Sequence, residues 1–150
     1  MTPPQDSSPD DLARRSAEAM WRDDAASQGL GMVLEHVAPG RARMTMRVRP
    51  DMVNGLGLCH GGFIFTLADS TMAFAANAYG DKSVAQHIGI TYLRPGRLDE
   101  ILTATAEERS RSGRAGMYDV RVAGSTDGST VAEFRGHTRL SGGRFFTGDA

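Results

Sequence analysis

Residues 54–80 read NGLGLCHGGFIFTLADSTMAFAANAYG, and the change of character inside this stretch decides the fold. A glycine-punctuated loop runs to Cys59. From 61 to 79 the chain is rich in helix formers, is apolar on nearly every face, and stops at Gly80, a residue suited to the left-handed position that ends a helix. A helix that is apolar all round is either wrapped by protein or placed in a membrane. A bilayer span needs about 20 mostly apolar residues, whereas this run holds Thr66, Asp69, Ser70, Thr71 and Asn77. Burial within protein is therefore expected.

The flanking segments supply the wrapping. Residues 41–49 (RARMTMRVR) alternate strictly, with Ala42, Met44, Met46 and Val48 on one face and Arg41, Arg43, Thr45, Arg47 and Arg49 on the other, the pattern of a half-buried strand. Residues 32–36 precede it across Ala38-Pro39-Gly40 and pair with it as a hairpin. Downstream, 84–93, 101–109, 116–123 and 130–140 read as strands. They are separated by Arg94-Pro95-Gly96, Ser112-Gly113-Arg114 and Thr126-Asp127-Gly128, of which the last two are hairpin turns. Such short links make antiparallel neighbours. The economical assembly is α+β: an antiparallel sheet wrapped around one long central helix, which is the hotdog fold. Before the sheet, Asp10 or Asp11 caps a short helix reaching Asp23, with Leu12, Ser16, Met20 and Ala13, Ala17, Trp21 on one stripe. Residues 1–9 are expected to be a flexible tail, 10–150 a single domain, and the glycine-rich 141–150 irregular.

Composition narrows the function. With 17 basic and 18 acidic side chains among 150 residues, the net charge of −1 gives no electrostatic footprint for nucleic acid. A single cysteine excludes an internal disulfide, and nothing at the start resembles a secretory leader, so a cytoplasmic location is expected, with no membrane association. The four histidines, His36, His60, His87 and His137, lack metal-ligand spacing, and no metal is expected. No phosphate-binding or dinucleotide-binding glycine loop is present, so no cofactor is expected either.

The motif NGLGLCHGGFIFTLAD resembles the signature of hotdog acyl-CoA thioesterases of the phenylacetic-acid-degradation (PaaI) family. The similarity continues through YLRPG, LTATA, GMYDV and VAEFRG, covering roughly 25–150. The resemblance implies hydrolysis of an acyl-CoA, with an aryl-acetyl or other aromatic acyl group, by a homo-oligomer of dimers that pair further into tetramers.

Asp69 is the residue that stands out without any resemblance, as the one charged side chain in a nearly all-apolar helix. A buried carboxylate is costly unless paired, so either a hydroxyl or amide of the facing strands satisfies it or its role is functional. The resemblance makes it the general base or nucleophile. Gly61 and Gly62 open the helix, where unpartnered N–H groups meet the positive end of the dipole. Gly61 is the expected oxyanion donor, with Gly62 at the substrate, although both glycines also allow tight helix–sheet packing. Asn54 and His60 match positions that orient the carboxylate, water or thioester oxygen. Eight residues of helix separate Gly61 from Asp69, about 12 Å at ~1.5 Å per residue. Both groups must reach one carbonyl within about 3 Å, so one chain's helix cannot supply both and the site must lie between two subunits.

Other assignments are weaker. Relatives carry a Ser or Thr early in the strand after the helix to hold water, where this sequence offers Gln86 and His87. Cys59 adjoins His60, but sequence neighbours rarely present both side chains to one atom, and a buried, inert thiol is expected. Arg94, Arg97, Arg111 and Arg114 lie in or near turns and are candidates for coenzyme A phosphates. Phe63, Phe65, Met72 and Tyr79 are candidates for the acyl pocket. A hotdog hydratase or dehydratase, using His60 with an acid, and a non-catalytic acyl-CoA binder are the alternatives from other classes.

Overall fold

In the computed structural model, residues 8–147 are described. Ser8 Oγ accepts the Asp11 N–H at 3.1 Å and starts helix α1 (Pro9–Asp23), with proline in the first turn. The cap is thus Ser8, while Asp10 and Asp11 occupy the first turn, where their charge complements the dipole. Of the expected tail, residues 1–7 lie outside the described residues, and Ser8 and Pro9 belong to the helix start. A second short helix, α2 (Ala25–Gly29), was not evident in the sequence. Asp24 caps it through the Ser27 N–H at 2.9 Å, and Ser27 Oγ meets Ser70 Oγ of the central helix, also at 2.9 Å.

The sheet comprises β1 (Val33–Ala38), β2 (Arg41–Arg47), β3 (Asp81–Tyr92), β4 (Ile101–Ser112), β5 (Ala115–Gly124) and β6 (Thr130–Arg144). All pairings are antiparallel, in the order β1-β2-β4-β5-β6-β3. Against it lies α3 (Gly61–Ala76), extended by a 3-10 turn from Asn77 to Tyr79 and touching every strand. Gly80 ends this helix at φ 84°, in the left-handed region expected of it. The core is where the two layers meet. Met44 and Met46 of β2, Leu102 and Ala104 of β4, Val120 and Val122 of β5, and Leu67, Met72 and Phe74 of α3 are all buried. This is the hotdog fold.

Two expectations are corrected. Residues 141–144 are not irregular, because β6 runs on to Arg144, with Ser141 Oγ donating to the Lys82 carbonyl of β3, while 145–147 form bends and 148–150 lie outside the described residues. Nor is α3 covered all round by its own chain. Gly62, Phe65, Thr66, Asp69 and Ala73, spaced three or four apart, form a stripe that stays partly open. Beside this opening β3 is the terminal strand of the sheet, paired among the described residues with β6 alone, and Val84 on it is 54% exposed. No helix among the described residues is long and apolar enough to cross a membrane.

Candidate active site

Asp69 sits at the middle of α3 on the half-open stripe and makes no hydrogen bond or ion pair among the described residues. The structural partner that could have explained a carboxylate here is absent. Burial raises its pKa above the ordinary value. It therefore holds a proton more tightly than a surface aspartate, as suits a group that must accept one.

At the N-terminus of α3, His60 is the capping residue: its Nδ1 accepts the Gly62 N–H at 2.9 Å. With Nδ1 used as an acceptor, a neutral imidazole carries its proton on Nε2, which is left as a donor. The cap also separates the two glycines chemically. The Gly62 N–H is engaged, whereas the Gly61 N–H, first of the helix, has no acceptor among the described residues. Tyr92, at the end of β3, donates its hydroxyl to the Gly61 carbonyl at 2.8 Å, and a Cβ at Gly61 would stand 3.0 Å from the Tyr92 ring. Glycine is needed there for that approach. Tyr92 opens the YLRPG segment, but its role was not legible there, because its place beside Gly61 depends on strand and helix being brought together.

Asn54 folds the preceding loop. Its Oδ1 accepts the N–H groups of Leu56 (2.9 Å) and Leu58 (3.2 Å), which leaves the side-chain NH2 as its free donor. Cys59 is buried beneath, its thiol pushed up to about 11 by desolvation and then by the charge of Glu100, so it is inert as expected.

The cavities divide these groups. One, lined by Asn54, Leu58, Gly61, Ile64, Tyr92 and Pro95, opens at the helix N-terminus with a volume of about 370 Å³. Another, of about 410 Å³, contains Asp69, Met72, Ala73, Ser83, Ala85 and Thr138. No residue lines both. Of the expected acyl-pocket residues, Met72 lines the Asp69 cavity, Tyr79 lines a neighbouring one, Phe65 packs edge-on against Phe134 and Phe63 against His60.

The arginines fare differently from one another. Arg94 is not free to meet a phosphate. Its guanidinium donates to both carboxylate oxygens of Glu100 (2.7 and 3.2 Å), to Ser129, to the Pro95 carbonyl and to Asp127, which engages every donor nitrogen. Glu100, 4% exposed, also accepts the Arg97 and Thr126 N–H groups. Burial alone would raise the Glu100 pKa, yet these hydrogen bonds outweigh it and hold the carboxyl at about 2. The pair locks the loop after β3 to the β5–β6 turn, so that Arg94, although it lines the Gly61 cavity, has its guanidinium nitrogens engaged within the protein. Arg111 stacks on the Tyr79 ring, 3.5 Å from its centroid, and Arg114 donates to the Leu140 carbonyl. Both line the cavity shared with Tyr79, some distance in sequence from Gly61.

His87 faces away from the helix and pairs with His137, ring centres 5.7 Å apart, while Gln86 lies at a register shift between Ala85 and His87. Among the described residues, no cluster of His, Cys, Asp and Glu could hold a metal ion.

An antiparallel sheet curled on a helix that carries, among the described residues, an unpaired carboxylate at mid-length and an unpaired N–H at its start places the chain among hotdog-fold proteins with a polar site on the central helix. Residues 56–130 match the thioesterase superfamily, and the chain is 40% identical, over 92% of its length and 97% of the relative's, to acyl-coenzyme A thioesterase PaaI of Escherichia coli K12. The chain belongs to the thioesterase superfamily. Human acyl-coenzyme A thioesterase 13 is 30% identical over 86% of this chain and 94% of its own. Among solved structures, the E. coli PaaI protein from the phenylacetic acid degradation operon superposes with a TM-score of 0.89 at 39% identity, covering 91% of this chain and 99% of that one. A hypothetical thioesterase from Streptococcus pneumoniae, solved with coenzyme A, has a TM-score of 0.72 at 26% identity, covering 75% and 90%.

Proposed function

We propose that Asp69 of one subunit and the Gly61 N–H of another act on the same thioester carbonyl, in a site completed only by a pair of chains. The chain is an acyl-CoA thioesterase, and it releases a carboxylic acid and coenzyme A by consuming one water. The observation that carries the shared site is that Asp69 and Gly61 open onto cavities with no residue in common. A two-fold axis that pairs the free edges of two β3 strands covers the half-open stripe of α3 and brings each Asp69 toward the partner's helix N-terminus.

Asp69 either takes the proton of the attacking water or itself attacks the carbonyl carbon, giving an anhydride that water then opens; both need one carboxylate at one place. In either route the oxyanion forms beside the Gly61 N–H, and the C–S bond breaks as the carbonyl re-forms and the thiolate leaves. The His60 Nε2–H and the Asn54 NH2 orient the carbonyl oxygen or the water. The hydratase reading is weaker, because a histidine whose Nδ1 is spent on a cap and whose Nε2 holds a proton has no lone pair to serve as base. We further propose an aryl-acetyl or related aromatic acyl group as the substrate class, on the likeness to the PaaI relatives.

The test is thiol release from phenylacetyl-, hydroxyphenylacetyl-, benzoyl- and straight-chain acyl-CoA, with the Asp69→Asn protein alongside. Release that the substitution abolishes supports the assignment. Release that survives it removes Asp69 from the mechanism.

A further inference from the structure

We infer that Thr138 determines which acyl group is accepted, its hydroxyl acting as a hydrogen-bonding subsite for an oxygen substituent at the far end of the acyl chain. This rests on the thioesterase reading above. Thr138 lies on β6, in the inward-facing series with Phe134 and Gly136, and is 5% exposed. Its hydroxyl makes no hydrogen bond among the described residues. The residue is buried, but its hydroxyl keeps access to the cavities it lines, and a hydroxyl so placed without a protein partner is met by water or by a ligand.

Its position favours the ligand. Thr138 lines the Asp69 cavity and also a second cavity of about 230 Å³, so that with Ala76 and Ser83 it stands where the two meet. The second cavity is walled by Tyr79, Tyr118, Arg111 and Gly116. It is a polar end, since Tyr79 and Tyr118 both donate to Glu108 Oε1 at 3.1 Å and Arg111 covers the Tyr79 ring. Space for the hydroxyl is made by glycine. A Cβ at Gly116 would lie 2.6 Å from Thr138 Oγ1, and one at Gly136 would lie 2.1 Å from Met72 Sδ. An acyl group whose carbonyl is at Asp69 runs past Met72 and Ala76 and ends at this hydroxyl. A wholly apolar end displaces whatever solvates Thr138 and returns nothing, whereas a hydroxylated one replaces the lost hydrogen bond.

The experiment compares kcat/KM for phenylacetyl-CoA and its ring-hydroxylated analogues in wild type, Thr138→Val and Thr138→Ser. Wild type should favour at least one hydroxylated substrate. Valine, which keeps the shape, should lower that substrate's kcat/KM at least about tenfold and change phenylacetyl-CoA less than about twofold, with serine restoring the preference. A parallel loss on both substrates, or no change on either, overturns the proposal by reducing Thr138 to packing. If wild type turns over no thioester, the thioesterase reading fails by itself. Calorimetric binding of free hydroxyphenylacetate against phenylacetate to wild type and Thr138→Val then decides the subsite: selective loss of the hydroxylated acid supports it, and equal binding overturns it.

Discussion

Gly61 and Asp69 stand on the same helix, yet the N–H of one and the carboxylate of the other open onto separate cavities. On the proposed mechanism, neither side of the reaction is complete in one chain. Mixing two inactive variants therefore tests the shared site directly. Gly61→Pro, made together with Tyr92→Ala so that the added ring atoms do not meet the Tyr92 side chain and with Tyr92→Ala alone as the reference, deletes the N–H at a first-turn position, and the preceding His60 already has the extended ψ of 131° that proline requires of its neighbour. Against that reference it should lower kcat by about 10²–10³, and Asp69→Asn should be inactive. Co-refolded in equal amounts they should recover roughly a quarter of wild-type activity, since half the dimers are hybrids carrying one intact site of two. No recovery in verified hybrids removes the two-subunit site.

The open edge of β3 should be what holds the subunits together. A lysine in place of the exposed Val84 places like charges near one another across the proposed two-fold, the device by which charged residues keep natural sheet edges from pairing. Light scattering should show the assembly dissociating toward the monomer, with thiol release lost at the same protein concentrations. A fully active Val84→Lys monomer would contradict the pairing.

Asp69 carries a pKa raised by burial, and a carboxylic acid with a raised folded pKa loses stability as pH rises through that value. Asp69→Asn should accordingly melt at the same temperature as wild type or higher at pH 7 while releasing no thiol. The acid limb of the wild-type kcat/KM profile should fall above 3.8, the ordinary aspartate value, because the base form is the active one.

Glu100 has the opposite sign. Its folded pKa of about 2 lies below the unfolded 4.5, so its contribution is complete above pH 4.5 and is lost as pH falls toward 2. Urea titrations across that window should show stability dropping in wild type and less steeply in Glu100→Gln. Arg94→Leu leaves the buried carboxylate unpaired and should destabilise by about 3–5 kcal/mol. Its KM for acyl-CoA under folding conditions should remain near wild type, as befits an arginine with no free donor.

His60 serves as both cap and donor, and asparagine separates the two duties. His60→Asn offers a capping oxygen and should stay within about 1 kcal/mol of wild type, while losing the Nε2–H and with it most of kcat. Chemical denaturation alongside thiol release reads both. Equal activity would confine His60 to the cap.

Much of this was legible in the order of residues. The all-apolar run beginning at Gly61, the alternation in β2 and the hairpin glycines state local preferences, and local preferences that agree with one another define the layers of the fold. Asp69 was visible for the same reason, as a charge out of keeping with its helix, and the eight-residue spacing to Gly61 led to the expectation of a site shared by two subunits. What the sequence could not state were relationships between segments distant along the chain. Arg94 reads as a free cation until Glu100 and the β5–β6 turn close around it. Tyr92 is the first residue of YLRPG and nothing more until it lands beside Gly61. Thr138 is an ordinary strand threonine until β6 places its hydroxyl, without a partner among the described residues, between two cavities. Periodicity determines which face of an element is covered; which atoms meet there is decided by the register and packing of the whole sheet on its helix.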